Sequence, residues 1–207
     1  MNKQLVTRLL GLLAFLLPVQ PALQAQMTWG PQAGINFSTL AIKSDDYQTR
    51  YRPGFYAGAY ARSAISAVFS IQAELNYAAE GAGTRGTAGS NEKGHIIINQ
   101  LQLPVLLQLN TPGGFYFEAG PQLNYLLSFR ETWQGETADR RDQNKKTEFR
   151  IPAGIGYHFN RGLKGWSLRT RFSFSLSPLN KSAAIPGQEV RSLAGSIGLL
   201  YNLSQNK

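Results

Sequence analysis

The chain has 207 residues, with 21 Lys+Arg against 12 Asp+Glu and no cysteine. The missing cysteine excludes a disulfide framework, a thiolate metal centre and a lipid-anchored cysteine. Charged residues make up 16% of the chain, below the roughly 25% of soluble domains, yet mean hydropathy is −0.24, which excludes a bundle of membrane helices. The 21 glycines and 11% aromatics favour strands and bends over helices.

Lys3 and Arg8 form a short basic start, residues 9–19 an apolar run, and Gln24-Ala25 a cleavage site. This three-part order predicts a secretory signal peptide over residues 1–25 and a barrel domain over 26–207. The run is shorter than the about 20 apolar residues that span a bilayer as a helix. Removing Lys3 and Arg8 with the leader lowers the net charge from +9 to +7.

From there the pattern is strict alternation. Trp29, Pro31, Ala33, Ile35 and Phe37 share one face of the first segment, with Gly30, Gln32, Gly34 and Asn36 on the other. Phe55, Ala57 and Ala59 oppose Tyr56, Gly58, Tyr60 and Arg62 in the second. The third sets Phe69, Ile71, Ala73, Leu75 and Tyr77 against Ser70, Gln72, Glu74 and Asn76. Leu101 to Leu107 alternate with Gln100, Gln102 and Gln108 in the fourth. Phe115, Phe117, Leu123 and Tyr125 oppose Tyr116, Glu118, Gln122 and Asn124 in the fifth. Phe149, Ile151, Ile155 and Tyr157 oppose Glu148, Arg150, Gly154, Gly156 and His158 in the sixth. Trp166, Leu168, Phe172 and Phe174 oppose Ser167, Arg169, Arg171 and Ser173 in the seventh. In the eighth, Leu193, Ile197, Leu199 and Tyr201 oppose Ser192, Ala194, Ser196 and Gly198.

Long connections, around Asp45-Asp46 and over 81–94, 130–147 and 178–189, alternate with short ones around Ser63 and over 111–114 and 160–165. Aromatic residues gather at both ends of the apolar faces. A polar face of Gly, Ser, Asn and Gln suits a narrow lumen better than a solvated surface. The predicted fold is therefore all-β, an eight-stranded antiparallel transmembrane up-and-down β-barrel in the outer membrane.

Several segments resemble the PorT-like outer membrane β-barrel family of Bacteroidetes. They are Gly34-Ile35-Asn36-Phe37-Ser38, Pro53-Gly54-Phe55-Tyr56-Ala57-Gly58, residues 69–75 with Gly81, Leu101-Gln102-Leu103-Pro104, Glu118-Ala119-Gly120-Pro121 and Gly154-Ile155-Gly156-Tyr157. The resemblance spans nearly all of residues 26–207 in order and implies an eight-stranded outer-membrane barrel. Its name-giving member is linked to protein secretion and gliding. The chain departs from the usual pattern by ending Leu203-Ser204-Gln205-Asn206-Lys207 rather than on an aromatic residue. The charged 130–147 stretch is also its own, so the family's partners are not carried over.

An eight-stranded lumen is just wide enough to be filled by side chains. Inward charges must then pair, since a lone buried charge is prohibitive. Glu74, Glu118, Glu148, Arg150, Arg169 and Arg171 are expected to form a lumen charge network, with Arg62 and His158 also inward. Strand adjacency predicts that Glu118, Arg150 and Arg169 or Arg171 meet. Trp133, Arg140, Arg141, Lys145 and Lys146 in the third long loop are the interaction candidates, for lipopolysaccharide phosphates or a protein partner.

No catalytic residues are assigned, so the chain is not read as an enzyme. His95, after Asn91-Glu92-Lys93-Gly94, is the one residue on which a lipid-A-modifying activity would rest. Asp45-Asp46 lacks a third oxygen ligand, so no metal is assigned, and no phosphate-loop signature assigns a cofactor. The expected role is structural or interacting, through extracellular loops. A small porin-like channel is the alternative. The expected partners are outer-membrane lipid, lipopolysaccharide and other envelope proteins, not nucleic acid, and the expected state is a monomer.

Overall fold

The computed structural model describes residues 27–42, 47–86, 93–133, 135–159, 162–179 and 190–205. The signal-peptide expectation over 1–25 and the Asp45-Asp46 pair lie outside them. The strands are β1 (Thr28–Ile42), β2 (Tyr47–Ala64), β3 (Phe69–Gly86), β4 (Lys93–Asn110), β5 (Phe115–Ala119), β6 (Gln122–Trp133), β7 (Glu136–Asp139), β8 (Thr147–His158), β9 (Trp166–Ser175) and β10 (Val190–Tyr201). Every pairing is antiparallel, and β10 returns to β1 from Gln32↔Leu200 to Ile42↔Val190.

β5 and β6 are one wall interrupted at Gly120-Pro121. Both pair with β4 and with β8, and Val105 N donates to Pro121 O across the break (2.9 Å). Counted this way, and with β7 outside the ring because it pairs only with β6, the ring closes on eight strands. Closure removes the open edges that would leave backbone N–H and C=O groups unsatisfied in lipid.

The alternation sorts the faces as expected, with apolar residues outside. Leu75 is 53% exposed while its neighbour Glu74 is 5% exposed, the reverse of a soluble sheet. Aromatic contacts brace both rims of the apolar band. At the short-turn rim Phe115 meets Tyr157 at 4.8 Å and Trp166 meets Tyr201 at 5.0 Å; at the long-loop rim Phe55 meets Tyr77 at 6.1 Å.

The structure corrects the expected loops. The described residues of the 81–94 stretch are strand, because β3 and β4 stay paired out to Arg85↔Lys93. The 130–147 stretch is not one loop either. It folds as a β6–β7 hairpin, from Arg130↔Asp139 to Trp133↔Glu136, and a short 3-10 turn over Arg141–Gln143.

One irregularity locks the long-loop half of the wall. Between Tyr51↔Ala82 and Phe55↔Ala79, three residues of β2 face two of β3, a bulge containing Pro53, which has no N–H to donate. The backbone of Gly81 is therefore served from β1. Ser38 Oγ accepts from Gly81 N (2.8 Å) and donates to Gly81 O (2.9 Å). Gly81 has φ +152°, a conformation that a side chain rarely adopts. Ser38→Ala leaves a buried donor and acceptor unserved, and the expected cost is about 1–3 kcal/mol. Urea unfolding in lipid vesicles measures it; an unchanged midpoint would show that the hydroxyl is dispensable.

Candidate functional site

The inward side chains form layers along the barrel axis. At the short-turn end Arg62 and His158 Nε2 are 2.5 Å apart, and His158 Nδ1 and Ser167 Oγ are 2.7 Å apart. Tyr116 stacks on the imidazole with ring centroids 4.4 Å apart. A guanidinium only donates, so Nε2 accepts and the ring proton sits on Nδ1, donating to Ser167. That is the reverse of a serine–base dyad, in which the ring nitrogen accepts the hydroxyl proton.

The next layer holds two carboxylates and two guanidiniums. Glu74 takes Arg169 Nη1 at 2.6 Å and Arg171 Nη2 at 2.8 Å, and Glu118 takes Arg171 Nη2 at 2.6 Å. Gln32, Gln72 and Asn76 also donate to Glu74, and Gln108 donates to Glu118. Arg169 Nη2 donates to Tyr56 OH (3.2 Å). Charges balance within the layer and each of the four carboxylate oxygens has a donor, the condition for tolerating buried charge.

Above it lies a polar cavity of about 20 Å³, bordered by Asn36, Asn76, Gln102, Gln122 and Ser196. A second ion-paired layer follows. Arg150 binds Glu80 at 2.7 Å and Glu148 at 2.8 Å, all three buried. An apolar cap then closes the lumen toward the long loops. Leu40, Ala82, Ile96, Ile98, Leu126 and Phe129 turn inward and pack around Leu179. Lys145 N donates to Leu179 O and Leu179 N to Val190 O, both at 2.8 Å, which fixes Leu179 in place.

Of the six expected network residues, Glu74, Glu118, Arg169 and Arg171 come together. Arg150 and Glu148 form a separate group, and Arg150 does not meet Glu118. The reason is register: Glu118 lies opposite Gly154, whereas Arg150 lies opposite Gln122. Four residues of β8 separate the two positions, on the order of 13 Å along a strand. Glu80 was missed because it stands just before the expected loop. The even-numbered run Glu74, Asn76, Ala78, Glu80 carried its signal.

The loop candidates do not form one cluster. Trp133 ends β6, and Arg140 forms an exposed ion pair with Glu131 at 3.6 Å. Arg141 N bonds Asp139 Oδ1 (2.9 Å), while Lys145 and Lys146 lead into β8. His95 faces outward on β4, exposed, between Gly83 and Thr132 in register.

A family model described as an outer membrane protein beta-barrel domain matches residues 23–181. No curated protein matches the chain. Among solved structures, Neisserial surface protein A is 12% identical, covers 84% of this chain and 97% of its own, and superposes with a TM-score of 0.52. Ail, the attachment invasion locus protein of Yersinia pestis, is 13% identical over 85% of this chain and 98% of its own, with a TM-score of 0.49. OprG from Pseudomonas aeruginosa is 11% identical over 86% and 94%, with a TM-score of 0.47. The first likeness carries the fold alone.

Proposed function

The chain belongs to the outer membrane protein β-barrel domain family, and on that premise we propose that it acts in the outer membrane as a closed barrel whose work is done at its long-loop end. In this reading residues 1–25 are the leader that delivers it, and the long loops face outward. The barrel is a monomeric structural or interaction protein of the PorT-like type. Its outward partners are lipopolysaccharide and other envelope proteins, met by Trp133, Arg140, Arg141, Lys145 and Lys146. No catalytic residue takes part.

The observation that carries the reading is the double obstruction of the lumen. Two ion-paired layers fill the middle, where Arg150 and Arg169 are each only 1% exposed, and the apolar cap around Leu179 closes one end. An ion moving through would have to break buried charge pairs and then shed its water to cross the cap. Planar-bilayer recording of the folded protein tests this. No unitary current steps are expected from a barrel whose folding is verified by a heat-dependent gel shift. Reproducible steps that change with Arg150→Gln would establish the porin-like alternative instead.

A further inference from the structure

The outer wall at the long-loop end carries a basic field on the side built from β2, β3, β4, β6 and β7. Cross-strand partners share one face of a sheet, so the register shows which side chains stand together. One row crosses all five strands: Arg50 lies opposite Gly83, Gly83 opposite His95, His95 opposite Thr132, and Thr132 opposite Thr137. The row two residues closer to the short turns holds Gly81, Ile97, Arg130 and Asp139. One row further out, the backbones of Arg85 and Lys93 pair. His95 faces outward, and Arg50, His95 and Arg130 are all exposed.

Two observations mark this field as a place for an anion. Its charge is uncompensated: among the described residues Arg50 and Arg130 form no ion pair, whereas Arg140, Arg150, Arg169 and Arg171 all do. Asp139, opposite Arg130, is the one acid described on these rows, and its Oδ1 accepts from Arg141 N (2.9 Å). The field also has a hollow. A Cβ placed on Gly83 would meet only Arg50, whose own Cβ is 3.6 Å away. The space over Gly83, between Arg50 and His95, is therefore open, and two strand spacings set these residues about 10 Å apart. A phosphate seated there receives donors from both sides, and guanidiniums suit its oxygens.

Height above the membrane narrows the anion. Directly below lies the aromatic rim, where Tyr77, Leu101 and Tyr125 share a row. Gly81 and Gly83 stand four and six residues beyond Tyr77 on β3. At about 3.3 Å per residue and a strand tilt near 40°, the two basic rows lie about 10–15 Å above that rim. Interfacial aromatic rings sit at the level of the lipid headgroups, so the phosphate of an ordinary phospholipid stays below the field. A glycolipid that carries phosphate on a sugar chain reaches it, with its acyl chains against the exposed Leu75 and Leu103. We propose that Arg50, His95 and Arg130 bind the phosphorylated core sugars of a lipopolysaccharide molecule lying against this wall. The inference rests on the reading of the long loops as outward-facing, and it gives the lipopolysaccharide partner a site on the barrel wall in addition to the loop residues.

The test is the thermal midpoint of the heat-dependent gel shift for the intact protein folded in phosphatidylcholine vesicles. Adding lipopolysaccharide with a phosphorylated inner core should raise the midpoint on the order of 4 °C. The same lipopolysaccharide stripped of phosphate, and phosphatidylglycerol at matched charge, should leave it nearly unchanged. Arg50→Gln combined with Arg130→Gln should remove most of the rise. Each variant is compared with its own midpoint in vesicles without lipopolysaccharide, which separates binding from any effect on folding. An equal rise with phosphatidylglycerol, or a full rise in the double variant, would overturn the site. Arg140→Gln with Arg141→Gln distinguishes this failure from that of the loop reading. If that pair abolished the rise while the wall variant kept it, the wall site would fall and the loops would stand. No rise for the unaltered protein would overturn both.

Discussion

Arg150→Met should cost the barrel about 3–5 kcal/mol, the range for removing one partner from a buried ion pair. Arg150 is 1% exposed and is the guanidinium shared by Glu80 and Glu148. Methionine replaces its stem but not its charge, which strands two carboxylates in a lumen with no bulk water. Arg52 cannot substitute, because it reaches the backbone of Glu80 rather than the carboxylate. Urea unfolding in lipid vesicles is the measurement, with the gel shift as a check on folding. The companion variant carries Arg150→Met with Glu80→Gln and Glu148→Gln. It keeps the volume and removes every charge, and it is expected to regain most of the loss. If the single and the triple variants were equally destabilised, shape rather than charge pairing would hold the layer together.

The different fates of the charged residues mark what a sequence can and cannot state about such a barrel. Alternation alone assigns sides, because the side-chain period of a strand is two. All eight walls and the inward direction of Glu74, Glu118, Glu148, Arg150, Arg169 and Arg171 were legible from it. Pairing depends on the axial level, and that is set by register between strands distant in sequence. Glu74 and Arg169 meet although 95 residues separate them, and no local pattern encodes that match.

The apolar cap failed for a different reason. Ile96 and Ile98 alternate like strand residues, but an inward apolar position contradicts the polar-in rule for a lumen. They fall between the expected 81–94 connection and the alternation that starts at Gln100, so neither face was assigned to them. Only the presence of Leu179, folded in from the β9–β10 connection, makes an inward Ile favourable. The β2 bulge was equally hidden, since Pro53 and Gly54 signal an irregularity but do not say that Ser38 will repair it.

Gly156→Ala tests the packing at the short-turn end, where no charge pair is at stake. A Cβ at Gly156 would run into the ring of Tyr116, at its Cε1, Cζ and hydroxyl. The clash is with a fixed object. Tyr116 is fully buried and stacks on His158, which is itself held between Arg62 and Ser167. Overpacking a well-filled site costs about 1–3 kcal/mol, and a ring that cannot retreat puts this substitution at the upper end. Tyr116→Leu alone should also destabilise, because it empties the space beside the imidazole. In combination the two changes relieve each other: the leucine withdraws from the new methyl group, and the methyl group partly fills the void. The double variant is therefore expected to be more stable than the sum of the single losses predicts, with a coupling of about 1 kcal/mol or more. Strict additivity would mean that Gly156 is required by its backbone and not by the ring above it. In that case Tyr116 would be free to swing, and the short-turn mouth would no longer be sealed by a stacked pair.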